Sequence, residues 1–224
     1  MPDIFEYSSA DFWLNSKFMG WTFMTEMAVD VVLMPDDEMT NIVIGANKKL
    51  LEKNPDKIVL GRESCLPHIS LAMGCIEQKQ LADIGVVLRK IAGEFSIGSL
   101  RIVGVHTHTN VVGEKVSALR IENTNLLRSL HEQVMTSMKP YFSYDVTEDM
   151  VLSDGEVGES TLLWIKNYPA QSSYEKFFPH ITLGYGEILF ENLPIDFTVT
   201  KIALCHLGNH CTCRKVLAAA ELTA

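Results

Sequence analysis

The chain has 224 residues, 47% of them hydrophobic and 21% charged, with 19 Lys and Arg against 28 Asp and Glu for a formal charge of −9. That length buries a sizeable core, either as one large domain or as two small lobes around a cleft, and the composition excludes a disordered or low-complexity chain. The acid excess excludes a protein that grips long duplexes by counterion release, although one local pocket can still hold one phosphate because salt screens distant charges.

The opening MPDIFEYSSADFWLN has acids and no basic cluster ahead of an apolar run, so no secretory leader or transit peptide is expected, and residues 1–20 read as an N-terminal extension. Residues 26–35 (EMAVDVVLMP) read as a strand. A helix follows over 36–54, with Asp36 or Asp37 as N-cap, acids in its first turn and lysines near its end, as the helix dipole favours. A strand over 66–75, a helix within 77–95 and a strand over 98–107 come next. After a loop at Asn110 to Glu114, strand 115–122 leads into a helix that begins at an Asn/Thr cap and stops before Pro140. Residues 145–159 hold six acids, two glycines and no basic residue, and read as a solvated acidic loop. STLLWIKNYP fits a helix or a strand equally. Strands over 179–186, 198–207 and 211–220 close the chain, the last two joined by a two-residue turn at Gly208 and Asn209.

Helices and strands interleave with runs of strands, which predicts an α+β fold over 1–224 with no linker between independent domains; if there are two lobes, they share one interface. No apolar run reaches membrane-spanning length. With five cysteines, an odd number in a chain too long to need staples, this predicts a cytoplasmic protein with free thiols. A monomer with no membrane partner is expected.

One phrase is written twice. SCLPHISLAMG begins at Ser64, and FFPHITLGYG begins at Phe177, so that Pro-His-Ile-[Ser/Thr]-Leu-x-x-Gly recurs with its histidine first at His68 and then at His180. On an ideal strand His68, Ser70 and Ala72 share one face and Ile69, Leu71 and Met73 the other; His180, Thr182 and Gly184 oppose Ile181, Leu183 and Tyr185 in the same way. Each copy thus offers an imidazole, then a hydroxyl, then a small residue that leaves room. Two imidazoles near neutral pKa can divide the roles of general base and general acid, while Ser70 and Thr182 can donate to phosphate oxygens. Facing each other across a cleft, the copies would bracket one phosphorus, as in-line displacement requires, with no metal or other cofactor. Fold symmetry accounts for a repeated Pro and Gly but does not require histidine in both places.

These motifs, His68-Ile69-Ser70-Leu71 and His180-Ile181-Thr182-Leu183, resemble the paired H-x-[ST]-apolar signature of the two-histidine (2H) phosphoesterases, which include RNA 2′,3′-cyclic phosphodiesterases also called 2′-5′ RNA ligases. The order of elements from about 26 to 220 is similar to that family's as well, which implies a bilobal α+β fold with a central cleft that carries the paired motif strands. The resemblance implies a metal-independent phosphodiesterase that opens a cyclic or 2′-5′ linkage on a small nucleotide or RNA end, with His68 and His180 as acid and base and Ser70 and Thr182 on the phosphate. It further implies substrate contact at Tyr185, which strict alternation turns away from the cleft unless a bulge intervenes near Gly184. The spacing between motifs and the acidic stretch depart from compact relatives.

Other clusters carry alternatives. Lys176, with Tyr174, Phe177 and Phe178, can meet a base and a phosphate or be ordinary core and surface. His106 and His108 share a strand face, beside the cleft or inert. CHLGNHCTC, from Cys205 to Cys213, gathers three Cys and two His; with a two-residue turn, His206, Cys211 and Cys213 share a face, short of a full zinc set. The competing functions are a non-catalytic module that holds a nucleotide or RNA end in the same cleft, and a metal-bearing interaction protein built on that hairpin.

Overall fold

A computed structural model describes residues 26–55, 57–110 and 113–222; the extension at 1–20 lies outside the described residues. Among the described residues seven strands and four helices follow one another: β1 (Glu26–Pro35), α1 (Asp37–Leu51), β2 (Ile69–Glu77), α2 (Leu81–Glu94), β3 (Ser99–Thr109), β4 (Lys115–Ile121), α3 (Asn125–Met138), α4 (Glu159–Gln171), β5 (His180–Tyr185), β6 (Ile195–Leu207) and β7 (Cys213–Glu221). The fold is α+β, as expected. All strand pairs are antiparallel, and the order is β2-β1-β6-β3-β4-β5 with β7 also on β6. The long β6 joins two groups: its residues 199–206 pair with β1 and 201–207 with β7, whereas 195–198 pair with β3.

The predicted helix starts are capped as the sequence suggests. Asp36 accepts from the Met39 N–H at 2.8 Å and also from the Thr198 N–H and hydroxyl, which ties the start of α1 to β6. Thr124 caps α3 through the Leu127 N–H. STLLWIKNYP lies within α4 despite Pro169, which sits in the last turn. The buried residues of α4, Thr161, Ile165 and Tyr168, recur at spacings of four and three.

Three expectations need correction. The hairpin between β6 and β7 is not a two-residue turn: Leu207 pairs with Cys213, the Gly208 N–H donates to the Thr212 carbonyl, and His210 and Cys211 take left-handed backbone angles (φ 60 and 54). Residues 145–159 are not simply solvated. Their acids are exposed, but Met150, Val151 and Val157 are buried, the Leu152 N–H donates to the Leu207 carbonyl, and the Gly158 N–H reaches Asn209. The apolar residues between the acids give the segment something to bury.

The third correction concerns both motif strands. Val31 and Val32 of β1 face Ala72 and Ser70, so Leu71 is an extra residue in β2; Ser117 and Ala118 of β4 face Gly184 and Thr182, so Leu183 is an extra residue in β5. Each motif therefore contains a β-bulge at its leucine, and the alternation reverses beyond it.

Candidate active site

The strands that carry the motifs lie at opposite ends of the six-strand path, yet the sheet curls enough that both line one cavity of about 480 Å³. His68, Ser70, His180 and Thr182 are all on its wall. Because of the twin bulges, Met73 and Tyr185, not Ala72 and Gly184, complete the cavity side of each motif. The bulge that Tyr185 requires is thus present, with Gly184 at φ +132.

A bulge leaves a carbonyl without its ladder partner, and each copy meets this from a buried helix side chain. His131 of α3 bonds the Leu71 carbonyl through Nδ1 at 2.7 Å, and Asn47 of α1 donates to the Leu183 carbonyl at 2.7 Å. Asn47 also bonds the Ile58 carbonyl and the Leu60 N–H; His131 accepts the Tyr174 N–H on Nε2 and stacks on Phe177 at 4.1 Å. Neither residue was assigned a role from sequence, because a lone His or Asn inside a helical pattern carries no signal of a partner 60 or 136 positions away.

The histidines of the pair are oriented alike. His68 Nδ1 lies 2.7 Å from the Leu66 carbonyl and His180 Nδ1 lies 2.8 Å from the Phe178 carbonyl, two residues upstream in each case. A carbonyl only accepts, so each Nδ1 carries the hydrogen and each neutral ring keeps its lone pair on Nε2. Burial holds the His68 imidazole down at about 4, helped by the nearby charge of His180 and opposed by the Leu66 bond. Burial also lowers His180, with smaller contributions from His108 and His106.

Asp30, which carried no sequence signal within its apolar strand, lies beneath the first motif. It is fully buried on β1, its Oδ2 accepts the Ser70 hydroxyl at 2.6 Å and lies 4.0 Å from His68 Nε2, and its Oδ1 has no close hydrogen-bond partner among the described residues. Burial pushes its carboxyl up to about 8, with the bonds from Ser70 and the Ala72 backbone offsetting part of the rise. Near pH 7 the Asp30 carboxyl is largely protonated, so it can donate to Ser70 and free the serine hydrogen for a ligand.

Five of the seven histidines line this cavity: His68, His106, His108, His180 and His210. His106 and His108 share a face as expected, their rings stacked at 5.9 Å, with His106 against Phe178 at 5.2 Å. Phe178 and Trp164 reach the wall while 43% and 45% exposed; Phe177 also borders the cavity but is buried in the core. Lys176 is on the wall with its ammonium on the Ala170 carbonyl at 2.6 Å. Tyr185 meets His210 Nδ1 at 3.2 Å. The Cys/His hairpin does not gather as sequence suggested: His206 turns to the Met150 carbonyl, Cys211 lines the cavity, and the Cys213 thiol lies near Asp30 and His68. The described cysteines are free thiols, and among the described residues no helix is long and apolar enough to cross a membrane.

No protein-family model and no curated protein matches the chain. Solved structures do. TT0787 of Thermus thermophilus superposes with a TM-score of 0.52 at 18% identity, over 88% of this chain and 98% of that one. E. coli LigT in its apo form gives 0.49 at 14% identity, over 89% and 99%. The same E. coli protein complexed with 3′-AMP gives 0.47 at 14% identity. The chain therefore has the fold of TT0787, spanning nearly the whole of both molecules.

Proposed function

We propose that this protein is a two-histidine phosphoesterase, a metal-independent phosphodiesterase that hydrolyses a 2′,3′-cyclic phosphate or a 2′-5′ linkage on a nucleotide or RNA end. The observation that carries the reading is the matched pair His68 and His180, each with Nδ1 tied to the carbonyl two residues upstream and both on one cavity wall. On a 2′,3′-cyclic substrate, one imidazole takes a proton from water as its oxygen bonds to phosphorus. The other delivers a proton to the 3′-oxygen as the P–O3′ bond breaks, leaving a 2′-phosphate. Ser70 and Thr182 donate to the phosphate oxygens as charge builds on them.

The acid role needs one ring protonated, and burial keeps both rings neutral in the free protein. An arriving phosphodiester brings the negative charge that raises an imidazole's pKa, so the substrate itself charges the acid. Phe178 and Trp164, exposed on the cavity wall, suit the face of a nucleobase. The cavity suits a nucleotide or a terminal residue, and the acidic surface disfavours a duplex.

The test is incubation of chelator-treated protein with nucleoside 2′,3′-cyclic phosphates and 2′-5′ dinucleotides, with products read by phosphorus NMR. Conversion to a single phosphomonoester is expected. Saturable nucleotide binding without turnover on any of these substrates would replace the enzyme with a binding module.

A further inference from the structure

We propose that Asp30, His68 and Cys213 form a zinc site, and that zinc held there reversibly silences the histidine pair. The inhibition, though not the site, rests on the function proposed above. One donor atom from each residue, a carboxylate oxygen, an imidazole nitrogen and a thiol sulfur, lies within 4.8 Å of the others. Donors around one tetrahedral zinc sit about 3 to 4 Å apart, so a small contraction closes the set. The mixture of oxygen, nitrogen and sulfur suits zinc and disfavours magnesium or calcium, which take oxygen alone.

Two further observations point to a cation at this place. Asp30 is fully buried, its carboxyl meets the Ser70 hydroxyl and the Ala72 backbone, and its Oδ1 still has no close partner among the described residues, which leaves a buried acceptor unsatisfied. The Leu66 carbonyl fixes His68 Nδ1, which is the outer contact that orients a metal-binding imidazole and presents Nε2. The Leu66 N–H donates to the Cys213 carbonyl at 2.9 Å, so the segment bearing His68 and the strand bearing Cys213 are bolted together. Cys213 is fully buried beside Val32, Ala203 and Cys205.

The charges balance on binding. The thiol and any carboxyl proton leave as zinc enters, and one thiolate with one carboxylate offsets the dication, so the occupied site is neutral in its buried setting. Three protein donors leave a fourth position on the cavity side, where His68 lines the wall. The Nε2 lone pair of His68 serves either a proton or a metal. Occupied by zinc, it cannot exchange a proton with substrate, and turnover stops until the metal is withdrawn.

The experiment is a titration of metal-free full-length protein with Co2+, read by absorption without substrate, followed by Zn2+ titration of turnover. One equivalent of cobalt should raise a thiolate-to-cobalt charge-transfer band that zinc displaces. The band should be lost in Cys213→Ser and weakened in Asp30→Asn, and should persist in Cys211→Ser and in His106→Asn/His108→Asn. Stoichiometric zinc should lower wild-type turnover at least about tenfold, with recovery on adding chelator, and should leave Cys213→Ser nearly unaffected. Absence of the band, its persistence in Cys213→Ser, or wild-type turnover unchanged or stimulated by stoichiometric zinc would overturn the proposal. The cobalt spectrum does not depend on turnover, so a band in an inactive protein sinks the proposed function and leaves the site standing.

Discussion

Asp30 and the histidines above it pull the pH dependence of stability in opposite directions. Six of the seven histidines, His68, His108, His131, His180, His206 and His210, have burial-lowered pKa values in the fold. Below their ordinary value of 6.5 the unfolded chain binds protons that the folded chain declines, so stability falls as pH drops below 6.5, for His68 down to about 4. Asp30 has the reverse sign: raised from 3.8 to about 8, it holds a proton in the fold that the unfolded chain has lost, so its contribution wanes as pH rises to 8. Between 4 and 6.5 the histidines outnumber it, and above 6.5 its effect stands alone among these groups. Urea unfolding from pH 5 to 8.5 should therefore show a maximum near neutrality, and Asp30→Asn should abolish the decline above it. The bond from Ser70 to Asp30 predicts that Ser70→Ala loses stability as well as activity, because the buried Asp30 then loses its side-chain partner, at about 1–3 kcal/mol. Thr182→Ala, with no buried acid beneath it, should lower activity with less loss of stability.

At the scale of the element, the repeated phrase specifies a strand with a bulge at its leucine rather than a regular strand. Asn47 and His131 hold the two bulge carbonyls, so they position the hydroxyl and imidazole just ahead of each bulge without touching a ligand there. Asn47→Ala strands the Leu183 and Ile58 carbonyls and the Leu60 N–H, and should cost about 3 kcal/mol in urea unfolding while lowering kcat of the surviving folded protein. Gly184→Ala should fail in a related way: its Cβ would lie 2.9 Å from Asn47 Nδ2 on a backbone at φ +132. The strand and helix segments were legible because apolar spacing and the caps Asp36 and Thr124 mark them plainly. The bulges were not, since Ile69, Leu71 and Met73 are all buried whichever way alternation runs. Tyr185 was the exception, because a glycine beside it is a local sign of irregularity. The hairpin misled for the opposite reason: Gly-Asn matches a two-residue turn, but the chain instead takes its left-handed residues at His210 and Cys211.

For the whole molecule, the decisive feature is a sheet whose two ends meet, which no reading of adjacent elements could supply. The sequence pointed to His68 and His180 as partners only through their repetition, and could not show that His106, His108 and His210 line the same cavity with Asp30 close behind His68. That convergence gives an acidic protein an interior lined by imidazoles. Binding of inorganic phosphate or a nucleoside 2′-phosphate near pH 7 should take up protons, and affinity should weaken as pH rises. Calorimetry in buffers of different ionisation enthalpy reads this directly; binding with no proton uptake would contradict it. The central claim is that the paired rings act as one unit, and rates on a 2′,3′-cyclic nucleotide test it in chelator-treated wild type, His68→Ala, His180→Ala and the double variant. Each single variant should fall by about 10²–10⁴ in kcat, and the double variant should fall little further. A single variant that keeps turnover close to wild type, while folded, would contradict the account.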